Sequence, residues 1–294
     1  MSVLGLDGVL GLGSVPGLDQ VSGSNFAYQH HTLTRCLDDM AELGRTTVEL
    51  WGIAPHLHIP QADSAHQKKV RELLQERELT VACVTPEQVA YPVNIASGEE
   101  WLREQSLQFF LRAAEVCSEL ESPLLFLTAG RGYEDEPAEV AWARSVECLQ
   151  TITQRAADLG VACVLEPLQR VESNLVTDAG SLRLMLDDVG SSTLGVVIDT
   201  VAMAAAGENI SDYAKAFGEG IRHVHLVDGA PTGHLAWGDG FLDLDEILRE
   251  LSQLNYSGAL TFELFGDGSY ALEPRAAVVQ CLDAVEASLR RISA

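Results

Sequence analysis

"VVIDTVAMAAAG", residues 196–207, carries a single charge, Asp199. Val196-Val197-Ile198 is a short apolar run of the kind a buried parallel strand shows, and it ends abruptly in a carboxylate. Burying that charge without a partner is costly, so something must hold it. For a lone acid the ordinary holder is a helix N-terminus or a loop. Here the pattern repeats. Strands are predicted at "NFAYQH" (25–30), "TTVELW" (46–51), "TVACVT" (80–85), "PLLFLTAG" (123–130), "ACVLEP" (162–167), "LGVVIDT" (194–200), "RHVHLVD" (222–228) and "ALTFELF" (259–265). Nearly all are apolar at their start and polar at their C-terminal end, at His30, Glu49, Thr85, Glu166, Asp199, His225 and Glu263.

Amphipathic stretches fill the gaps, among them "LTRCLDDMAELG", "SAHQKKVRELLQERE", "EEWLREQSLQFFLRAAEVCSEL" and "VAWARSVECLQTITQRAADLG". Two of them stop at a glycine, Gly44 and Gly160, where helices commonly end. Eight strands, each followed by a helix and with no long linker, predict one closed (β/α)8 TIM barrel over residues 25–294, a fold that takes roughly 250 residues. A doubly wound open sheet would place a glycine-rich turn after its first strand, and "HHTLTR" is not one. Residues 1–24 are rich in Gly and Leu, contain Asp7 and Asp19, and lack any basic residue. They read as an irregular N-terminal arm rather than a secretory signal.

The chain has 19 Lys and Arg against 43 Asp and Glu, a net charge of −24. That balance repels phosphodiester backbones and anionic lipid heads, so neither nucleic acid nor membrane is expected as a partner. No apolar run approaches the ~18 residues of a membrane span. Six scattered cysteines with no CxxC pair fit reduced core residues of a cytoplasmic protein.

In a barrel the C-terminal strand ends converge on one mouth, where active sites of this fold sit. Glu166, Asp199, His225 and Glu263 end four successive strands. Three carboxylates that close cannot all stay ionised unless a cation offsets their repulsion. Oxygen-rich ligation with one imidazole suits Mn²⁺ first, then Mg²⁺, Co²⁺ or Ni²⁺, better than a structural zinc site. His223 and His225 share a strand face. His225, nearer the mouth, is the expected ligand, with His223 one layer deeper and Asp228 orienting a loop or a bound ligand.

These motifs together resemble the xylose-isomerase-like sugar isomerases and epimerases. The resemblance rests on "LEPLQRVESN", "VIDT", "HVHLVD", "GDGFLDLDEILREL" and "YSGALTFEL", which run through the second half in the family's order. "VELWGIAPH" and "VTPEQVAYPVN" in the first half are most similar to the fructoselysine 3-epimerase branch. The resemblance implies that Glu166 and Glu263 bind the metal and also act as the acid/base pair. One removes the proton beside the ketone to give a cis-enediolate, and the other returns a proton to the opposite face, epimerising C3. It also implies that Glu172 contacts substrate hydroxyls and the neighbouring glutamate.

Many ketose epimerases of this kind continue the sixth strand as Asp-Thr-Phe-His, whereas here it runs Asp199-Thr200-Val201-Ala202. The missing donor points away from a free ketohexose and towards a fructosamine, whose amine suits an acidic mouth. His234 is expected to aim a nitrogen at the substrate, Trp51 and His56 to wall the pocket, and Glu87 and Tyr91 to shape specificity. The same fold and metal could instead serve a lyase or dehydratase acting on a keto-inositol or 3-keto-glycoside. An abasic-site endonuclease would need more histidine ligands and a basic track, and a non-catalytic sugar-binding barrel would have no use for two opposed bases. A homo-oligomer is expected, as barrels of this kind often associate.

Overall fold

The computed structural model describes residues 16–88 and 92–293. Strand and helix alternate in chain order: β1 Val21–Ser24, α1 Leu33–Glu42, β2 Thr47–Gly52, α2 Ser64–Gln75, β3 Thr80–Pro86, α3 Glu100–Glu119, β4 Leu124–Thr128 and α4 Ala138–Asp158. There follow β5 Ala162–Glu166, α5 Ala179–Val189, β6 Leu194–Asp199, α6 Thr200–Ala205, α7 Ile210–Phe217, β7 Ile221–His225, α8 Leu244–Gln253, β8 Ala259–Thr261 and α9 Pro274–Ile292. Each strand pairs in parallel with the next and β8 pairs with β1, closing a TIM barrel. Helix starts are set by side-chain caps: Thr32, Asp63, Asp178, Asn209 and Asp243 each accept a first-turn backbone N–H. Gly44 and Gly160 follow α1 and α4 with φ of +71° and +76°, a conformation that costs a residue with a Cβ more than it costs glycine.

The first strand differs from expectation. It is Val21–Ser24, inside the segment expected to be an irregular arm, and "NFAYQH" forms a 3-10 turn at Phe26–Tyr28 instead. "VSGS" has too little apolar content to announce a strand, yet small residues are what this position needs. A Cβ on Gly23 would lie 2.5 Å from Met40 Cγ, so α1 packs directly on the β1 backbone. The bulk of Phe26 and Tyr28 is buried for a different reason, as packing beside the mouth and against α1. His30 is consequently an exposed loop residue and not a strand end. Residues 1–15 of the expected arm lie outside the described residues.

Strand register positions the mouth. Asp199 is the Cα partner of His225 across β6 and β7, and Thr128 is the partner of Glu166 across β4 and β5. Beneath them Cys83, Phe126, Val164 and Val197 fill the barrel interior as a buried layer. All six cysteines are buried and none is in a disulfide. No helix among the described residues is long and apolar enough to cross a membrane.

Candidate active site at the mouth of the barrel

β5, β6 and β7 end at Glu166, Asp199 and His225, and Glu263 follows β8 by two residues. All four are buried, at 5%, 2%, 0% and 8% exposure. Their donor atoms converge: His225 Nδ1 lies 2.9 Å from Glu166 Oε1 and 3.1 Å from Glu263 Oε2. Ligand atoms of Glu166, Asp199 and His225 all fall within 4.8 Å of one another, as do those of Asp199, His234 and Glu263. Despite these short separations, Glu166 Oε1, Asp199 Oδ2, His225 Nδ1 and His234 Nδ1 make no hydrogen bond among the described residues. Buried polar atoms are rarely left in that condition, and four at one point mark a place built to receive something.

Each side chain is held from behind. Asp199 caps α6, its Oδ1 accepting the Ala202 N–H at 2.6 Å, which leaves Oδ2 facing the mouth. Thr200 ties the end of β6 to β7 by donating its hydroxyl to the Val227 carbonyl at 2.6 Å. The His225 ring is stacked on Phe126, with centroids 5.3 Å apart and planes at 23°. Its Nε2 lies 3.1 Å from Glu49 Oε1, and His223, one layer deeper as the sequence suggests, contacts Glu49 Oε2 at 2.6 Å.

His234 enters the cluster from the loop after β7, with Nδ1 3.0 Å from Glu263 Oε2 and Nε2 3.6 Å from Asp199 Oδ2. That loop is anchored by Asp228, which bonds four backbone N–H groups, those of Gly229, Gly238, Gly240 and Leu242. Asp228 thus orients the loop, as its position in the sequence suggested.

The electrostatics divide the two glutamates. Burial pushes Glu166 up to about 8, helped by Asp199 and Glu263 and opposed by His225. Burial also acts on Glu263, but it sits between two imidazoles, His225 and His234, which bring it down to about 2. His234 is raised to about 10: burial opposes its charge, and Asp199 and Glu263 outweigh that.

The cluster floors a cavity of about 590 Å³, within the range of small-molecule sites. Trp51, Glu87, Glu172 and His234 line it, as does Ala202 in place of the donor expected from similar sequences. Trp51 donates Nε1–H to Glu87 at 3.0 Å and stacks on Phe26, and Glu172 accepts the Gln169 N–H at 3.1 Å. Burial raises the Glu172 carboxyl.

His56 does not line this cavity. Its ring is buried between Asn25 Nδ2 at 3.0 Å and the His31 carbonyl at 2.7 Å, where it braces the loop behind Trp51. Tyr91 lies outside the described residues. Sequence reading missed Phe126 and Phe265: one stacks on His225, and the other packs edge-on to Trp51 at 5.3 Å. An aromatic residue in an apolar strand looks like core, and only the proximity of Phe265 to Glu263 could have drawn notice.

The sequence pattern of the xylose isomerase-like TIM barrel family matches residues 37–287. Fructoselysine 3-epimerase of Escherichia coli O157:H7 is 30% identical over 264 residues, covering 89% of this chain and 95% of its own. L-ribulose 3-epimerase of Methylomonas sp. (strain DH-1) is 26% identical over 219 residues, 72% of this chain and 73% of its own. The crystal structure of a D-tagatose 3-epimerase-like protein superposes with a TM-score of 0.75 at 22% identity, covering 92% of this chain and 99% of that one.

Proposed function

The chain belongs to the xylose isomerase-like TIM barrel family, and from that premise we propose that it is a divalent-metal-dependent epimerase acting at C3 of a keto-sugar derivative. The observation that carries this reading is the convergence of four ligands at the strand ends, three of which, Glu166, Asp199 and His225, leave a buried polar atom without a hydrogen-bond partner among the described residues. Glu166, Asp199, His225 and Glu263 fit a hard or borderline cation, because they offer three carboxylates and one imidazole and no thiolate. Bound there, a cation such as Mn²⁺ would offset the carboxylate charges and polarise the substrate carbonyl.

The chain's own groups do the rest. Glu263 and Glu166 are the two carboxyls equipped to accept the proton beside the ketone and to return one, and the roles exchange in the reverse direction. Both carboxyls flank His225 Nδ1, so they move protons across one small space. His234, Glu172, Trp51 and Phe265 line the cavity, which supports the first two as partners for substrate hydroxyls and the aromatic pair as a surface for sugar C–H groups.

For the substrate we favour a fructosamine over a free ketohexose. Ala202 offers no side-chain donor, and Glu87 and Glu172 make the cavity acidic, which suits a cationic amine. A second cavity of about 920 Å³ adjoins the first across Trp51 and Glu87, with room for a substituent on the sugar. Equal kcat/KM for free ketoses and their fructosamine counterparts would remove this preference.

Proton exchange in D₂O tests the reaction itself. Mn²⁺-loaded protein mixed with a panel of ketoses and fructosamines should place deuterium at C3 and yield a new epimer. Glu166→Gln should lower that exchange about 10²- to 10⁴-fold, the span of positioned acid–base catalysis. An unsaturated product lacking a leaving group would move the protein to the lyases, and no C3 exchange by metal-loaded protein across the panel would sink the reading.

A further inference from the structure

The Glu49 carboxylate is fully buried on β2 and does not line the active-site cavity, yet it spends both oxygens on the two histidines of β7. Oε2 lies 2.6 Å from His223 Nε2 and Oε1 lies 3.1 Å from His225 Nε2, while the Thr85 hydroxyl on β3 donates to Oε1. β2 and β7 stand apart in the barrel order, so this contact crosses the interior. Resting on the metal-centre reading above, we propose that Glu49 is a positioning residue: it fixes His225 in the Nε2–H tautomer, with Nδ1 unprotonated and facing Glu166, Asp199 and Glu263.

The argument is one of donor and acceptor counting. An ionised carboxylate only accepts, and Thr85 already spends its proton on Oε1, so both imidazoles must bring N–H to Glu49. Both Nε2 atoms lie within hydrogen-bond distance of the two Glu49 oxygens, one on each, so the carboxylate is their shared acceptor. With Nε2 committed, the only lone pair His225 can present to a cation is at Nδ1, the atom found 2.9 and 3.1 Å from the carboxylates.

Phe126, stacked on the ring, sets the ring plane but cannot tell one nitrogen from the other. Glu49, set against Nε2, makes that distinction from behind the ring. A carboxylate behind a ligand histidine fixes its orientation and raises its basicity, and losing such a partner typically weakens metal binding 10- to 100-fold. His223 occupies the second oxygen, which stops the Glu49 carboxylate from rotating away from His225.

The test uses the full chain, stripped of metal. Mn²⁺ titration calorimetry of Glu49→Gln should show affinity about 10- to 100-fold weaker than wild type. C3 exchange at saturating Mn²⁺ should fall much less than affinity does. Thr85→Val, which deletes one hydroxyl and leaves the carboxylate, should weaken binding in the same direction by less. A purely structural role would lower the metal-free melting temperature without touching the tautomer. ¹⁵N-detected NMR of wild-type protein loaded with diamagnetic Zn²⁺ should therefore find His225 protonated at Nε2 and bare at Nδ1.

Wild-type affinity in Glu49→Gln, or a proton on Nδ1 in the loaded protein, would overturn the proposal while leaving the metal centre standing. If Glu49→Gln does not fold, Thr85→Val and the wild-type spectrum decide. If the wild-type protein binds no divalent cation, the metal reading falls first and this inference with it.

Discussion

Asp199 and Asp228 are both aspartates at the mouth of the barrel, one closing β6 and the other just beyond β7, and each is 2% exposed. Burial and charge do not tell them apart. Their lone pairs do. Asp228 accepts four backbone N–H groups at 2.8–3.0 Å, two on each oxygen. Asp199 accepts one, from Ala202, while its Oδ2 has no hydrogen-bond partner among the described residues and lies 3.6 Å from His234 Nε2. A carboxylate that holds a loop together saturates its oxygens with fixed donors. One that serves a ligand keeps an oxygen back, and the neighbourhood carries the cost of that unmet group until the ligand arrives.

The comparison can be broken most directly at Asp199. Asp199→Asn should lower Mn²⁺ affinity by at least about 100-fold, beyond the span reported for outer partners. In metal-free protein the same change should leave urea stability unchanged or raised, because it removes one charge from a crowded buried cluster. Metal titration and urea unfolding in the presence of chelator check the two halves separately. A large loss of metal-free stability would mean Asp199 is structural after all.

Asp228→Asn should do the reverse. The new amide group must turn its N–H₂ towards either the Gly238 and Gly240 or the Gly229 and Leu242 donors, leaving donor against donor. Two charge-assisted bonds are lost, so stability should fall by about 2–4 kcal/mol in urea unfolding. Metal affinity should fall less than in Asp199→Asn, since the four ligands keep their own supports. If instead metal binding collapses while stability holds, the distinction between the two aspartates is wrong.

The same contrast explains what could be read from the sequence. β5, β6 and β7 were legible because each is an apolar run closed by a polar residue, a local pattern that survives in one dimension. Glu49 was visible as a polar strand position but without a role, because its partners on β7 are reached only by crossing the closed barrel. β1 was illegible for the opposite reason: "VSGS" is small because Met40 needs the space, and smallness mimics a loop. His56 looked like a wall residue because a histidine beside Trp51 near a mouth has the right chemistry. Its direction is set by Asn25 and the His31 carbonyl, and no spacing rule encodes that. In each failure the deciding contact is long-range or is set by backbone direction, while the successes rest on period and composition.

A third carboxylate sharpens the rule by separating satisfaction from burial. Asp245 on α8, like Asp228, has both oxygens bonded: Oδ1 accepts from Arg291 at 2.6 Å and from Ser288 at 2.5 Å, and Oδ2 accepts from Arg291 at 2.8 Å. Yet 22% of its side chain and 57% of that of Arg291 are exposed, so water screens the pair. Arg291 and Ser288 bring its carboxyl down to about 2. A depressed pKa contributes stability that is present above the ordinary value of 3.8 and lost as pH falls through about 2. Asp245→Asn should therefore cost only about 0.5–1 kcal/mol at neutral pH, as exposed pairs do. The difference from wild type should hold steady down to about pH 4 and then shrink, which urea unfolding from pH 7 to pH 3 would follow. If Asp245→Asn costs as much as Asp228→Asn, satisfied oxygens alone set the contribution of a carboxylate and burial adds nothing. If it costs the smaller amount, a satisfied carboxylate stabilises strongly only where water is excluded, which is the condition Asp199 meets while keeping one oxygen free.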